Sequence, residues 1–303
     1  MSREIDRLAQ PVDKKKMRVI IPSCSRTGTM GLYFAMQILG YRAYHMYEMM
    51  QSGGLLHMKI IAEAIIANRN RLSGIKRYER EDVDKWMANY DVSATHDRWT
   101  SQTVDNTQRH KCFIEVMTYI GPRALEGYAA DPDVKFILTE RDPDAWVKSF
   151  NKTAGQNVTM ATTFPLNVLK HFNTNLGCFF HLNQLAYWSM SDKTMPGDPD
   201  NEATLRKNYV EYIRSVKEIL PKDRSLFIKL EEGLGWEQIC PFLDVPIPDQ
   251  EYPRGNEPEK FEKVAKFFLE PWMRDAAFKV GAVVVSAIGT AGYLGWKYYN
   301  FQR

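Results

Sequence analysis

Arg18-Val19-Ile20-Ile21-Pro22-Ser23-Cys24-Ser25-Arg26-Thr27-Gly28-Thr29-Met30-Gly31-Leu32 is a β-branched apolar run that ends in a small, hydroxyl-rich turn. An amphipathic stretch, Leu32 to Leu39, follows at once. That order predicts strand, tight loop, helix. Such a loop turns several backbone N–H groups toward one point at a helix N-terminus, where aligned peptide dipoles favour an anion. Gly28 allows close backbone approach. Arg26 brings a fixed positive charge and a forked donor set, and Thr27 and Thr29 bring hydroxyls. The stretch is predicted to hold a phosphate; the plainer alternative is an ordinary βα turn. It is not a Walker A loop, because the Gly-Lys pair and the hydroxyl that would hold magnesium are missing.

Outward from this loop the chain keeps a βα rhythm. Met17 to Ile21 is the first expected strand. Tyr41 to Met46 is a short second one, ending near His45 and Glu48. Helical spacing marks Leu55 to Leu72 and Asp82 to Tyr90. Lys111 to Val116 and Val134 to Thr139 read as strands, the latter apolar throughout, as for a strand buried on both faces. Between them Pro122 to Ala130 opens with a proline suited to a first helical turn. Glu202 to Leu220 is a long helix and Ser225 to Leu230 the last strand. The expected fold is α/β: a P-loop-type, doubly wound parallel sheet over residues 17–258. A helical insertion at 157–195 interrupts it. That insertion is rich in large side chains (Phe164, Phe172, Phe179, Phe180, Tyr187, Trp188) and reads either as a lid over an acceptor pocket or as further core. Residues 1–16 are polar, carry no apolar signal-like run and read as a flexible arm.

A second anion signal lies at Thr139-Glu140-Arg141-Asp142-Pro143-Asp144-Ala145-Trp146-Val147-Lys148-Ser149. Asp142 is a good N-cap and Pro143 a good first helical residue. Arg141 is thus placed at a strand end, with Ser149 facing back toward it two turns into the helix. A third element, Gly235-Trp236-Glu237 through Pro253-Arg254-Gly255-Asn256, reads as a short helix followed by a proline-braced loop.

These three motifs, in this order over roughly residues 17–258, resemble a sulfotransferase-like family common in fungi, often mislabelled as epimerases. Ser25-Arg26-Thr27-Gly28-Thr29 resembles its "GRTGT" loop, although Met30 stands where the family usually has Thr or Ser. Residues 139–149 resemble its "TxRDPxxWxxS" element, and 235–256 its "GWEPLCxFLGxPxPDxPFPRxN" ending. The resemblance implies that Ser25, Arg26, Thr27, Gly28, Thr29 and Met30 grip the 5′-phosphosulfate of 3′-phosphoadenosine 5′-phosphosulfate (PAPS). It implies that Arg141 and Ser149 hold the 3′-phosphate and that Arg254 folds over the same end. Arg26 would also stabilise the leaving phosphate. For the general base three readings stay open: Glu115, which closes a central strand; His45, within a His-Met-x-Glu element; and His96 with Asp97. No metal is expected.

The tail is of another kind. Glu259 to Lys279 reads as a connecting helix, perturbed at Pro271. Val280 to Trp296 carries no charge, lies between Lys279 and Lys297, and has Tyr293, Trp296, Tyr298 and Tyr299 at its far end. That is the pattern of a transmembrane helix over 280–299; the alternative is a buried core helix. Small residues recur every fourth position (Ala282, Ser286, Thr290; Ala287, Ala291, Gly295), which allows a homo-oligomer through close helix packing in lipid. Basic residues before the run (Lys263, Lys266, Arg274, Lys279) outnumber those after it (Lys297, Arg303), so the catalytic domain is expected to face the cytosol.

Composition narrows the rest. The net charge of +3 over 303 residues does not point to nucleic acid. Four scattered cysteines give neither a zinc pattern nor a disulfide framework. The leading expectation is a single-pass, membrane-anchored, PAPS-dependent sulfotransferase acting on a small hydroxylated acceptor of the secondary-metabolite kind. The alternatives are a non-catalytic, membrane-tethered nucleotide-binding protein of the same fold and a P-loop kinase or NTPase. An NAD-linked epimerase is disfavoured, since no GxGxxG follows the first strand.

Overall fold

A computed structural model of the chain describes residues 2–10, 16–93, 110–253 and 258–303. Five strands form one sheet: β1 (Met17–Ile21), β2 (Arg42–Tyr44), β3 (Lys111–Ile114), β4 (Lys135–Glu140) and β5 (Ser225–Lys229). Their spatial order is β2-β3-β1-β4-β5, and every neighbouring pair is parallel. The chain runs from β1 out to β2, returns to β3, then crosses to β4 on the far side of β1. All five strand C-termini therefore open on one edge, with the order reversing at β1, where ligands of such sheets bind.

The apolar runs of the central strands follow from burial on both faces. Ile20, Phe113, Phe136 and Leu138 enter the larger core. Val19, Ile21, Cys112, Ile114 and Ile137 enter the smaller one on the opposite face. The smaller core is covered by α1 (Thr29–Ile38) and by a short helix, α10 (Trp236–Leu243). The larger core takes α2 (Gly54–Arg69), α3 (Arg80–Ser93), α4 (Pro122–Ala129), α5 (Pro143–Phe150), α6 (Gln156–Thr162), α7 (Leu166–Leu169), α8 (Thr174–Ser191) and α9 (Asn201–Ile219).

Three expectations are corrected. The first helix starts at Thr29, not Leu32, because Gly28 (φ 86°) turns the chain directly into it. β3 stops at Ile114, since Glu115 leaves the strand at φ 67°. The expected flexible arm is docked over Arg3 to Arg7: Ile5 is buried in the larger core, and Arg3 forms a bidentate pair with Asp82 of α3 at 2.8 and 2.7 Å. In the insertion, expected as either lid or core, Phe179, Phe180 and Tyr187 are buried. Phe164 is the contrast, at 77% exposed.

The tail is a single helix, α11 (Pro258–Phe301), that runs through Pro271 without ending. Leu269 and Ala276 are buried against the larger core, with Trp272, Met273 and Val280 packed beside them. That is a stripe at helical spacing. From Gly281 onward every residue is exposed, and the segment is long and apolar enough to cross a membrane.

Candidate anion and active site at the strand C-termini

Each strand delivers one part of the site. The loop after β1 holds Ser25 to Gly28. Gly28 is needed for two reasons. Its φ is left-handed, and an added Cβ would lie 2.9 Å from Leu230 Cδ2 and 3.0 Å from Leu234 Cδ2. The N-cap of α1 is Gly28, which has no side chain to cap it. The N–H groups of Thr29, Met30 and Gly31 thus form a helix N-terminus of the anion-binding kind. Arg26 also takes a left-handed φ of 73°, an uncommon state for a non-glycine residue that clusters at functional sites.

β4 delivers Arg141. Its Nη1 donates to the Arg26 carbonyl at 3.4 Å, while Arg26 Nε donates to Ser149 Oγ at 3.1 Å. The two motifs read separately from the sequence are thereby one cluster. Among the described residues neither guanidinium has a carboxylate partner. Burial holds the Arg26 pKa below its ordinary value; Glu115 pulls it back up, and the Arg141 charge adds to the lowering. Arginine remains charged under any such shift. Two guanidinium groups beside the N-terminus of α1 favour an anion there.

Behind the loop, β3 delivers Glu115, buried and ionised. Ser25 Oγ donates to its Oε1 at 2.5 Å, and Thr29 Oγ1 to Oε2 at 2.6 Å. His45, at the end of β2, lies with Nε2 2.8 Å from Oε2. Burial pushes the carboxyl pKa up, but His45 and the donated hydrogen bonds from Ser25 and Thr29 outweigh it, and the net shift is downward. The Glu115 N–H donates to the Ile21 carbonyl at 2.9 Å, and the Val116 N–H to the Ile114 carbonyl at 2.7 Å. The residue is thus the centre of a tight γ-turn, a strained conformation.

The hydrogen bonding places the other expected residues. The Tyr47 N–H donates to His45 Nδ1 at 3.0 Å, so the proton sits on Nε2 and is directed at Glu115. Both ring nitrogens of His45 are within hydrogen-bond distance of a partner. Thr27 is fully buried: its hydroxyl donates to the Cys24 carbonyl at 2.6 Å and lies 3.0 Å from Thr139 Oγ1. Ser25, Thr27 and Thr29 all point their protons inward, which leaves backbone N–H groups and the arginines to face an anion. Met30 packs its side chain against the smaller core, so it offers only its N–H. Arg254, His96 and Asp97 lie outside the described residues. The chain immediately before Arg254 does reach the site, since a Cβ on Gly31 would lie 2.9 Å from the Pro253 carbonyl. Among the described residues no His, Cys, Asp and Glu cluster could hold a metal ion.

Sequence reasoning missed the supports. Trp146 Nε1 donates to the Ser25 carbonyl at 2.8 Å and fixes the loop from behind. Its ring stacks between Phe150 (4.7 Å) and Tyr209 (4.4 Å). The Tyr209 hydroxyl accepts from the Arg141 N–H at 2.9 Å. Tyr119 Oη lies 3.0 Å from Ser25 Oγ; because Ser25 donates to Glu115, Tyr119 donates to Ser25. Glu231, after β5, accepts the Asp142 N–H at 2.8 Å. Trp146 falls inside the quoted 139–149 stretch and was findable as its lone large aromatic; Tyr209 and Tyr119 carry no local signal.

A sequence model of the sulfotransferase domain family matches residues 18–261. The Aspergillus versicolor protein named "Ava biosynthesis cluster protein M" is 29% identical over 246 residues, 78% of this chain and 80% of its own length. Among solved structures, a sulfotransferase from Alicyclobacillus acidocaldarius aligns at 15% identity with a TM-score of 0.42, covering 88% of this chain and 96% of its own. The sulfotransferase domain from the curacin biosynthetic pathway aligns at 15% identity and 0.33, covering 78% and 77%.

Proposed function

The chain belongs to the sulfotransferase domain family, and from that premise we propose that it moves a sulfuryl group from PAPS to a small hydroxylated acceptor while anchored in a membrane by α11. The observation that carries the reading is the convergence of Arg26 and Arg141, both without carboxylate partners among the described residues, at the uncapped start of α1. Two cations on two loops fit a ligand with two separate phosphates. Arg26 and the first N–H groups of α1 would bind the 5′-phosphosulfate. Arg141 and Ser149 would bind the 3′-phosphate, and Arg254 would close over it.

In the transfer, the acceptor oxygen bonds to sulfur as the bond from sulfur to the 5′-phosphate oxygen breaks, and 3′-phosphoadenosine 5′-phosphate (PAP) leaves. Arg26 offsets the charge gathering on that phosphate. The acceptor's proton needs a sink, and Glu115 is the buried ionised carboxylate beside the loop. Its oxygens already accept from Ser25, Thr29 and His45, so it would act through a hydroxyl. Ser25, partly exposed, takes the acceptor's proton as its own passes to Glu115 Oε1.

Binding without transfer is the second reading, favoured by the full engagement of His45 and Glu115 and by the packed side chain of Met30. Calorimetric titration of the full-length chain in nanodiscs with PAP, ATP and NAD separates these readings from others. PAP should bind far more tightly than ATP, and NAD not at all. ATP binding that needs magnesium would replace both with an NTPase. Tight PAP binding with no sulfuryl transfer to any of a panel of phenols and alcohols would favour the non-catalytic reading. The cytosolic orientation, a secondary-metabolite acceptor and self-association through the small-residue face of α11 belong to the same proposal.

A further inference from the structure

The insertion has one apolar feature that the core does not explain. Just before α7, Phe164 is 77% exposed, and on α7 itself Val168 is 38% exposed. Leu166 and Leu169 of the same short helix are buried. The segment is therefore apolar on its covered side and on its open side, which water alone does not favour.

Its position relative to α11 is fixed by two contacts. α7 packs directly along α11, sharing a core with Leu269 and Ala276. At the start of α8, Asn173 Nδ2 donates to Asp275 Oδ2 at 2.7 Å. Asp275 precedes Val280, the last residue of α11 to touch the domain, by a rise of about 7.5 Å. The headgroup layer on each side of a bilayer's hydrocarbon core is about 5–7 Å deep. If α11 enters lipid where it leaves the domain, Asp275 lies at the outer edge of that layer, and α7 and its flanks lie at its height. Phe278 of α11 is 77% exposed, and Arg274 and Lys279 are exposed beside it. Exposed aromatics together with basic side chains suit an interfacial layer.

We infer that the Phe164–Val168 segment is a second membrane contact, seated among lipid headgroups beside the point where α11 enters the bilayer. The inference rests on the anchoring role proposed for α11. With two contacts the catalytic domain cannot swivel about a single helix, and the edge carrying Arg26 and Arg141 is held at a set height and tilt.

Photo-crosslinking of the full-length chain in phosphatidylcholine and phosphatidylserine nanodiscs tests this. p-Benzoylphenylalanine is placed singly at Phe164, Val168, Val285 and Ile247. Val285 lies in the exposed part of α11, 70% exposed, and Ile247 is 56% exposed next to residues that pack on the opposite face of the sheet. Lipid adducts at 164 or 168 several-fold above those at 247, together with adducts at 285, support the contact. Adducts at 285 with 164 and 168 no higher than 247 overturn it and leave the anchor standing. No adducts at 285 overturn the anchor, and this inference with it.

Discussion

Arg26 Nε lies 3.1 Å from Ser149 Oγ, joining the loop after β1 to the helix after β4 across 123 residues of chain. The bond means that the two anion-binding motifs are not independent. Ser149 holds the Arg26 guanidinium in place by accepting from it, and in the proposed reading its own hydroxyl proton goes to the ligand. Ser149→Ala should therefore weaken PAP by about tenfold, the worth of one lost hydrogen bond to a charged group, without lowering the thermal midpoint. Calorimetry alongside a melting curve reads both. Unchanged PAP affinity in a folded Ser149→Ala protein would remove Ser149 from the binding set.

Glu115 makes the site pH-sensitive in a defined direction. Its folded pKa lies below the ordinary 4.5. A depressed carboxylate contributes stability that is present above the unfolded pKa and lost as pH falls through the folded one. The wild-type chain should lose stability relative to Glu115→Gln between pH 4.5 and the lower folded value. At neutral pH the variant should be less stable by roughly 1–3 kcal/mol, since Ser25, Thr29 and His45 lose their shared acceptor. Urea melts at stepped pH provide the comparison, and parallel pH curves for the two proteins would show that the fold does not shift the Glu115 pKa.

Gly28→Ala should cost about 1–2 kcal/mol from its left-handed backbone alone, with further loss because the new Cβ meets Leu230 and Leu234. PAP binding should fall more than stability does, since the shift moves the start of α1. Chemical denaturation and titration on one sample compare the two. A variant that binds PAP normally would mean the loop conformation is not what the anion needs.

Full-length protein expressed in cells should resist alkaline carbonate extraction, and protease added on the cytosolic side should reach residues before Gly281. Extraction into the carbonate wash would remove the anchor. A protected N-terminal domain would reverse its orientation.

The sheet and the two loops that bring Arg26 and Arg141 together were legible because their signals are local. An apolar run before Ser25-Arg26-Thr27-Gly28-Thr29 fixes a strand and its loop, and Asp142-Pro143 fixes the helix start that leaves Arg141 at a strand end. What was illegible is set by tertiary geometry. Nothing local says that Thr27 turns its hydroxyl to Cys24 and Thr139, or that Met30 belongs to the core. Glu115 ends β3 early by a γ-turn that only its pairing with Ile21 reveals. The arm docks because Ile5 finds a core cavity and Arg3 finds Asp82, 79 residues on, and a polar composition hides both.

The most direct test compares PAP with adenosine 5′-phosphosulfate, which lacks the 3′-phosphate, on the full-length wild type, Arg26→Ala and Arg141→Ala in nanodiscs. Each substitution removes a charge-assisted hydrogen bond of roughly 1.5–3 kcal/mol, about tenfold to a hundredfold in affinity. Arg26→Ala should weaken both ligands. Arg141→Ala should weaken PAP by that factor and leave adenosine 5′-phosphosulfate nearly unchanged. A folded Arg141→Ala protein that binds PAP as tightly as wild type would contradict the 3′-phosphate assignment and, with it, the PAPS reading of the site.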